Sequence, residues 1–314
     1  MINVKKAAII GCGNVGSSIA FNFIEKALFS EIVLIDINKE KAEGEAMDLS
    51  HGLPYAPSPS FIHAGEYKDI KDAQVVIVTS GAAQKEGETR LDLINRNVFI
   101  LRSILSEIKK VNMEGILILV ANPVDVLTHF AVKESGLPES RVFGSGTVLD
   151  TARLKYQLSE TLKVDSRNVH AVIIGEHGDS ELAVDSIANI SSVPLPDFFK
   201  MKNITNGEQL LSDINNEVKN SAYEIIKKKG ATYYGIAMAV GRICEAITND
   251  EHSMLPVSVE LNGEYGLNGV ALSIPSIVGR SGVEQILEIP LSVQEKRMLI
   301  RSADSLKQVI SNVK

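Results

Sequence analysis

Short runs of uninterrupted apolar residues punctuate the first half of the chain: Ala7-Ala8-Ile9-Ile10, Ile32-Val33-Leu34-Ile35, Val75-Val76-Ile77-Val78 and Ile116-Leu117-Ile118-Leu119-Val120. They are continuous rather than alternating, the pattern of strands covered on both faces within a parallel sheet. Between them the period lengthens. Residues 15–26 carry apolar side chains at helical spacing, with Ile19, Phe23 and Ala27 on one stripe, and residues 92–110 form a second helical segment rich in Leu, Ile and Arg. Strand–helix–strand alternation predicts an α/β fold: a doubly wound parallel sheet with right-handed crossovers.

The texture changes near residue 145. A strong helical pattern runs from Leu149 to Leu162, followed by a strand-like His170-Ala171-Val172-Ile173-Ile174 and a long helix over 207–229. Residues 255–289, rich in Gly, Val and Ser, read as a meander of antiparallel strands. The last helix is expected over 292–313, opened by Ser292 with Glu295 three residues on, the spacing of a capping box. The predicted organisation is a first domain over 1–145 and an α+β second domain over 146–314, with a soft boundary and no repeats.

Composition narrows the classes. At roughly 150 residues per domain, 314 residues suggest about two domains, large enough to bury a core without disulfide or metal staples. The net charge of −7 argues against a basic surface for nucleic acid or membranes. Two cysteines, Cys12 and Cys244, make no disulfide framework and fit a reducing compartment. No apolar run approaches the roughly 18 residues of a membrane span, and the stretch before Gly11 is too short for a signal-peptide core. A cytoplasmic location is expected.

Gly11-Cys12-Gly13-Asn14-Val15-Gly16 is a G-x-G-x-x-G that follows a predicted strand and opens a predicted helix. Gly11, Gly13 and Gly16 allow the tight turn and the close approach of a pyrophosphate to the helix N-terminus, beside Asn14 and Val15. Asp36 ends the second strand, where a carboxylate binds ribose hydroxyls in a Rossmann dinucleotide site. It would repel a 2′-phosphate, and Ile37 and Asn38 offer no cation, so NAD is favoured over NADP.

His177 stands in Gly175-Glu176-His177-Gly178-Asp179 after a strand, between residues that leave it open for chemistry near neutral pH. Asp150 and Arg153, three apart on a predicted helix, share a face. Asn122-Pro123 follows the fourth strand, at the carboxyl edge where open α/β sheets bind ligands. Arg90 lies in a polar, glycine-containing loop over 81–90. None of the other histidines has a ligand neighbour at zinc spacing, so no metal is expected.

Together these segments resemble the family of L-lactate and L-malate dehydrogenases. The resemblance spans nearly the whole chain and rests on the glycine loop, Gly87-Glu88-Thr89-Arg90-Leu91-Asp92-Leu93, Ala121-Asn122-Pro123-Val124-Asp125, Gly146-Thr147-Val148-Leu149-Asp150-Thr151-Ala152-Arg153 and Gly175-Glu176-His177-Gly178-Asp179. The family usually has Ala where this chain has Cys12. The resemblance implies that His177 donates the proton when a 2-keto acid is reduced, with Asp150 holding its ring. Arg153 clamps the substrate carboxylate, and Arg90 polarises the keto oxygen. Asn122 is expected to hydrogen-bond the same oxygen or the carbinol and to help seat the nicotinamide. Thr232 lines the substrate pocket, and Ile236 packs near the nicotinamide. The loop over 81–94 is expected to close over the substrate.

Gln84 separates the two activities. Malate enzymes place an arginine here for the second carboxylate, whereas a neutral amide leaves that carboxylate unpaired at a cost of several kcal/mol. Pyruvate and L-lactate are therefore the expected substrates, with malate or another 2-hydroxy acid as the alternative. A non-enzymatic NAD-binding protein would have no need of Arg90, Asn122, Asp150, Arg153 and His177 together. The resemblance also implies a homotetramer of the bacterial type. Its fructose 1,6-bisphosphate site falls on Lys155 and His170, with lysine where arginine is usual.

Overall fold

The structure, a computed structural model, describes residues 3–83 and 87–313. Its parallel strands are β1 (Asn3–Ile10), β2 (Glu31–Ile35), β3 (Phe61–Ala64), β4 (Ala73–Val78), β5 (Ile116–Leu119) and β6 (Val142–Gly144), in the spatial order β3-β2-β1-β4-β5-β6. That is the doubly wound order expected from the alternation. Ile9 lies opposite Leu34 on one side and Ile77 on the other, all buried, which is why these runs are apolar throughout. The edge strand β3 and the short strand β6 escaped the sequence reading. One mixes in His63, and the other is only three residues long.

Helices α1 (Asn14–Glu25), α2 (Lys39–Gly52), α3 (Arg90–Val111) and α4 (Val124–Glu134) cross between the strands. Helix α3 corrects one expectation. Arg90 is its first residue and not a loop residue, because Thr89 and Asp92 close a reciprocal capping box. Thr89 Oγ1 accepts the Asp92 N–H at 3.2 Å, and Asp92 Oδ2 accepts the Thr89 N–H at 3.3 Å. Gln84, expected in the substrate loop, lies outside the described residues.

The second half opens with α5 (Val148–Leu162). The strand expected over 170–174 is split. It forms β7 (Val169–His170) and β8 (Ile173–Ile174), which pair in different small sheets, β7 with β10 (Asn189–Ile190) and β8 with β9 (Leu182–Ala183). Strand β11 (Val193–Pro194) follows, then α6 (Leu195–Met201), α7 (Gly207–Lys229) and α8 (Tyr234–Thr248).

The meander is present as β12 (Ser253–Asn262), β13 (Asn268–Gly279) and β14 (Gly282–Ile286), antiparallel throughout. It does not stand apart. Ser258 of β12 pairs with Gly144 of β6, so the meander extends the parallel sheet to nine strands among the described residues. A Cβ at Gly144 would press on Thr128 at 2.5 Å and on Ser258 at 3.0 Å, so this junction requires glycine. Helix α9 (Val293–Ser311) closes the chain behind the predicted Ser292–Glu295 box.

Candidate active site

Gly11 turns the chain at φ +109° directly after β1, and Thr79 Oγ1 donates to its carbonyl at 2.7 Å. A Cβ at Gly16 would collide with that carbonyl, so α1 starts flush against the loop only with glycine there. At Gly13, the N-cap of α1, a Cβ would meet nothing within 4 Å, and no side chain caps the helix. The first N–H groups of α1, beside Asn14 and Val15, are thus left for a ligand anion at the positive end of the helix. Asp36 follows β2. Its Oδ2 accepts the Cys12 N–H at 2.7 Å and its Oδ1 the Asn38 N–H at 2.9 Å. Each oxygen keeps acceptor capacity for a ribose hydroxyl. These features fit a dinucleotide. Cys12 itself is a buried filler: burial, then the Asp36 charge, pushes its thiol up to about 12.

Asp150, Arg153 and His177 come together at the start of α5. Thr147 donates its hydroxyl to the Ile173 carbonyl at 2.5 Å, which fixes the first turn of α5 against the strand leading to His177. Asp150 lies in that turn, where the helix N-terminus favours an anion. His177 Nδ1 is 2.5 Å from Asp150 Oδ2, and Arg153 Nη1 donates to Asp150 Oδ1 at 2.7 Å. Burial opposes charge on the imidazole, but Asp150 outweighs it, and His177 is raised to about 9. Burial likewise opposes ionisation of Asp150, and His177 and Arg153 together hold its carboxyl below the usual range.

The other expected residues converge to different degrees. Arg90 reaches the His177 loop, with Nη2 3.3 Å from Glu176 Oε1 and Nη1 3.8 Å from Asp179 Oδ2, its side chain 66% exposed. Asn122 follows β5, and its carbonyl accepts from Asn97 Nδ2 at 2.8 Å. Thr232 lies in the α7–α8 connection, and Ile236 is half-buried in the first turn of α8. That helix packs on α1. Lys155 and His170 line one cavity of about 640 Å³, bordered by Met238 and Met254.

Residues 5–144 match the family described as lactate/malate dehydrogenase, NAD binding domain, and residues 147–314 match its alpha/beta C-terminal domain. The chain belongs to the lactate/malate dehydrogenase family. Among its relatives, the L-lactate dehydrogenase of Acetivibrio thermocellus is 50% identical over 310 residues, 99% of this chain and 98% of the relative. A lactate dehydrogenase from a deep-sea metagenome library superposes with a TM-score of 0.96 at 46% identity, covering 99% of each chain. The ligand-bound minor L-lactate dehydrogenase of Enterococcus mundtii also gives 0.96, at 44% identity, over 99% of this chain and 98% of that one.

The structure adds residues to this dehydrogenase site that the sequence reading did not single out. Buried Asn97 holds both Asn122 and the Ala82 N–H, the latter at 2.8 Å, and so ties the loops that follow β4 and β5 to α3. Its polar side chain interrupts the apolar stripe of Ile94, Val98 and Leu101, a signal that was present. Glu181, 4% exposed, is pushed up to about 8 by burial and then by Asp150, and its Oε1 has no hydrogen-bond partner among the described residues. One of its carboxylate oxygens lies within 4.8 Å of a carboxylate oxygen of Asp150 and of a ring nitrogen of His177. Asp125 accepts the His177 backbone N–H at 2.7 Å.

Proposed function

We propose that the chain is an NAD-dependent L-lactate dehydrogenase that interconverts pyruvate and L-lactate, with residues 1–145 holding NAD and 146–314 the acid. The observation that carries this reading is the Asp150 carboxylate shared by His177 and Arg153, which joins a proton donor to a carboxylate clamp on one helix face. The reduced nicotinamide, when bound, supplies a hydride to the keto carbon. His177 Nε2, the ring nitrogen not bonded to Asp150, gives its proton to the keto oxygen and leaves the ring neutral. In lactate oxidation the same nitrogen takes the proton back.

Arg153 makes no hydrogen bond through Nε or Nη2 among the described residues, so part of its fork is available for the substrate carboxylate. Arg90 leaves Glu176 and Asp179 to stabilise the charge developing on the keto oxygen, beside Asn122. Thr232 would line the pocket, and Ile236 would pack against the nicotinamide. Gln84 leaves a second carboxylate without a cation, which favours pyruvate over oxaloacetate, and the L-lactate dehydrogenase relatives support the same choice.

Lys155 and His170 on one cavity support an effector site for fructose 1,6-bisphosphate, and the exposed Met238 and Met254 at its border support a subunit contact within a homotetramer. The cytoplasm, with both cysteines free, is the compartment that suits this chemistry. Steady-state oxidation of NADH with pyruvate and with oxaloacetate, each with and without the bisphosphate, tests the reading. Pyruvate is expected to be preferred, and Gln84→Arg to move the ratio toward oxaloacetate. NADH left unconsumed with pyruvate in every arm would sink the activity. Identical pyruvate curves with and without bisphosphate would sink the effector site alone.

A further inference from the structure

Asp125 is a buried carboxylate, 2% exposed, in the first turn of α4. Its Oδ2 accepts the backbone N–H of His177 at 2.7 Å, and its Oδ1 accepts the hydroxyl of Ser258, itself fully buried on β12, at 2.6 Å. Asp125 therefore connects the helix that follows Asn122, the sheet extension and the loop that presents the imidazole. An asparagine would make the same pair of contacts, accepting from the backbone and donating to the serine, without the cost of burying a charge. The carboxylate is useful only if its charge is used, and the cation it faces is His177.

We infer that Asp125 is a positioning residue of the proton transfer: its carboxylate holds the loop that carries His177 and places a fixed negative charge behind the imidazole. This rests on the reading of His177 as proton donor. Charged groups face the imidazole from several elements. Helix α5 contributes Asp150 and Arg153. The loop itself contributes Glu181 and Glu176, the latter paired with Arg90 of α3, and Lys219 of α7 acts on Glu181. Of the acids, Asp150 bonds the ring and Asp125 bonds its main chain. Burial pushes Asp125 up to about 6, and the Ser258 and His177 donors keep it from going further, so it is ionised at neutral pH. Its charge, after that of Asp150, raises His177.

The test is an NMR titration of the His177 Cε1 signal in the full-length protein without substrate, assigned by its absence in His177→Asn, together with pH profiles of pyruvate reduction. Asp125→Asn should lower the His177 midpoint by about 1 pH unit, the lower end for loss of a nearby charge. Above both midpoints kcat/KM should fall about tenfold, with little change near pH 7. A merely structural role would instead lower the rate equally at every pH, and that result, or an unmoved His177 midpoint in a folded variant, overturns the inference. The parent should also show a small inflection in the His177 signal near pH 6 as Asp125 protonates. Ser258→Ala removes one donor and should move that inflection upward. If Asp125→Asn fails to fold, this second variant decides: no inflection in the parent, or one that does not move, overturns the inference. Because the titration does not need turnover, its outcome is separable from failure of the proposed activity.

Discussion

His177 and Arg90 act on the same keto oxygen in the proposed reaction, yet one is fixed from every side and the other lies on the surface. The His177 loop is bound through its main chain. Gly175 exchanges both hydrogen bonds with Ser273 of β13 at 2.9 Å, the Glu176 N–H reaches Ser302 of α9 at 3.0 Å, and the His177 N–H reaches Asp125. The ring is then oriented by Asp150. At about 1 kcal/mol net per hydrogen bond, and more where a charge takes part, displacing this loop costs several kcal/mol. Arg90 is held by ion pairs to Glu176 and Asp179 with its side chain mostly exposed, and contacts of that kind contribute about 0–1 kcal/mol. The comparison separates two kinds of catalytic group. In the proposed reaction the proton donor would be set in place before substrate arrives, and the cation for the developing oxyanion would be parked nearby and move at little cost.

The largest effect expected from this contrast falls on the fixed group. His177→Asn should lower pyruvate reduction by roughly 10²–10⁴-fold, the contribution of a positioned proton donor. NADH affinity, measured by fluorescence, should be unchanged, since the glycine loop and Asp36 lie elsewhere. Reduction requires the protonated ring, so in the parent kcat/KM should hold at low pH and fall as pH rises through about 9. That alkaline limb should vanish in the variant. A folded variant with near-parental turnover would remove His177 from the mechanism.

Arg90→Gln comes next. Loss of one charged oxyanion donor should cost roughly 10²–10³-fold in kcat. Thermal stability should change little, because the guanidinium is mostly exposed and Glu176 keeps its hydrogen bond from Ser180. A drop in Tm with unchanged kcat would reverse the comparison and make Arg90 a structural residue.

The buried centre of the parallel sheet was the most legible region. The apolar runs at 7–10, 32–35, 75–78 and 116–120 marked the buried centre of the sheet because strands covered on both faces have no polar positions to confuse the pattern. The family and its NAD-binding fold followed from ordered motifs. Misreadings cluster where tertiary contacts override local pattern. Residues 170–174 look like one strand, but Val184 donates to the Val172 carbonyl at 3.0 Å, between the two short strands into which the run divides. Arg90 looked like loop because glycine and charge surround it, while the Thr89–Asp92 box that starts the helix at Arg90 was overlooked. Asp125 and Asn97 join segments far apart in sequence, and no spacing rule links them to their partners.

The smallest effect concerns the parking contact itself. Glu176 is 8% exposed, and its Oε2 accepts the Ser180 hydroxyl while Oε1 faces Arg90. Glu176→Gln keeps an acceptor for Ser180 and removes the charge that attracts the guanidinium. If the pair holds Arg90 by up to about 1 kcal/mol, its loss shifts the population toward free Arg90 by at most about fivefold. The expected result is a rise of a few-fold in kcat/KM for pyruvate at low ionic strength. The gain should shrink as added salt screens the parental pair and brings the two proteins together. A double-mutant cycle with Arg90→Gln isolates the contact, since Glu176→Gln should change nothing once Arg90 is gone. Equal gains in both backgrounds would mean that Glu176 acts on the His177 loop and not by holding Arg90. A loss of activity that salt leaves untouched would mean that the pair belongs to the rigid half of the comparison.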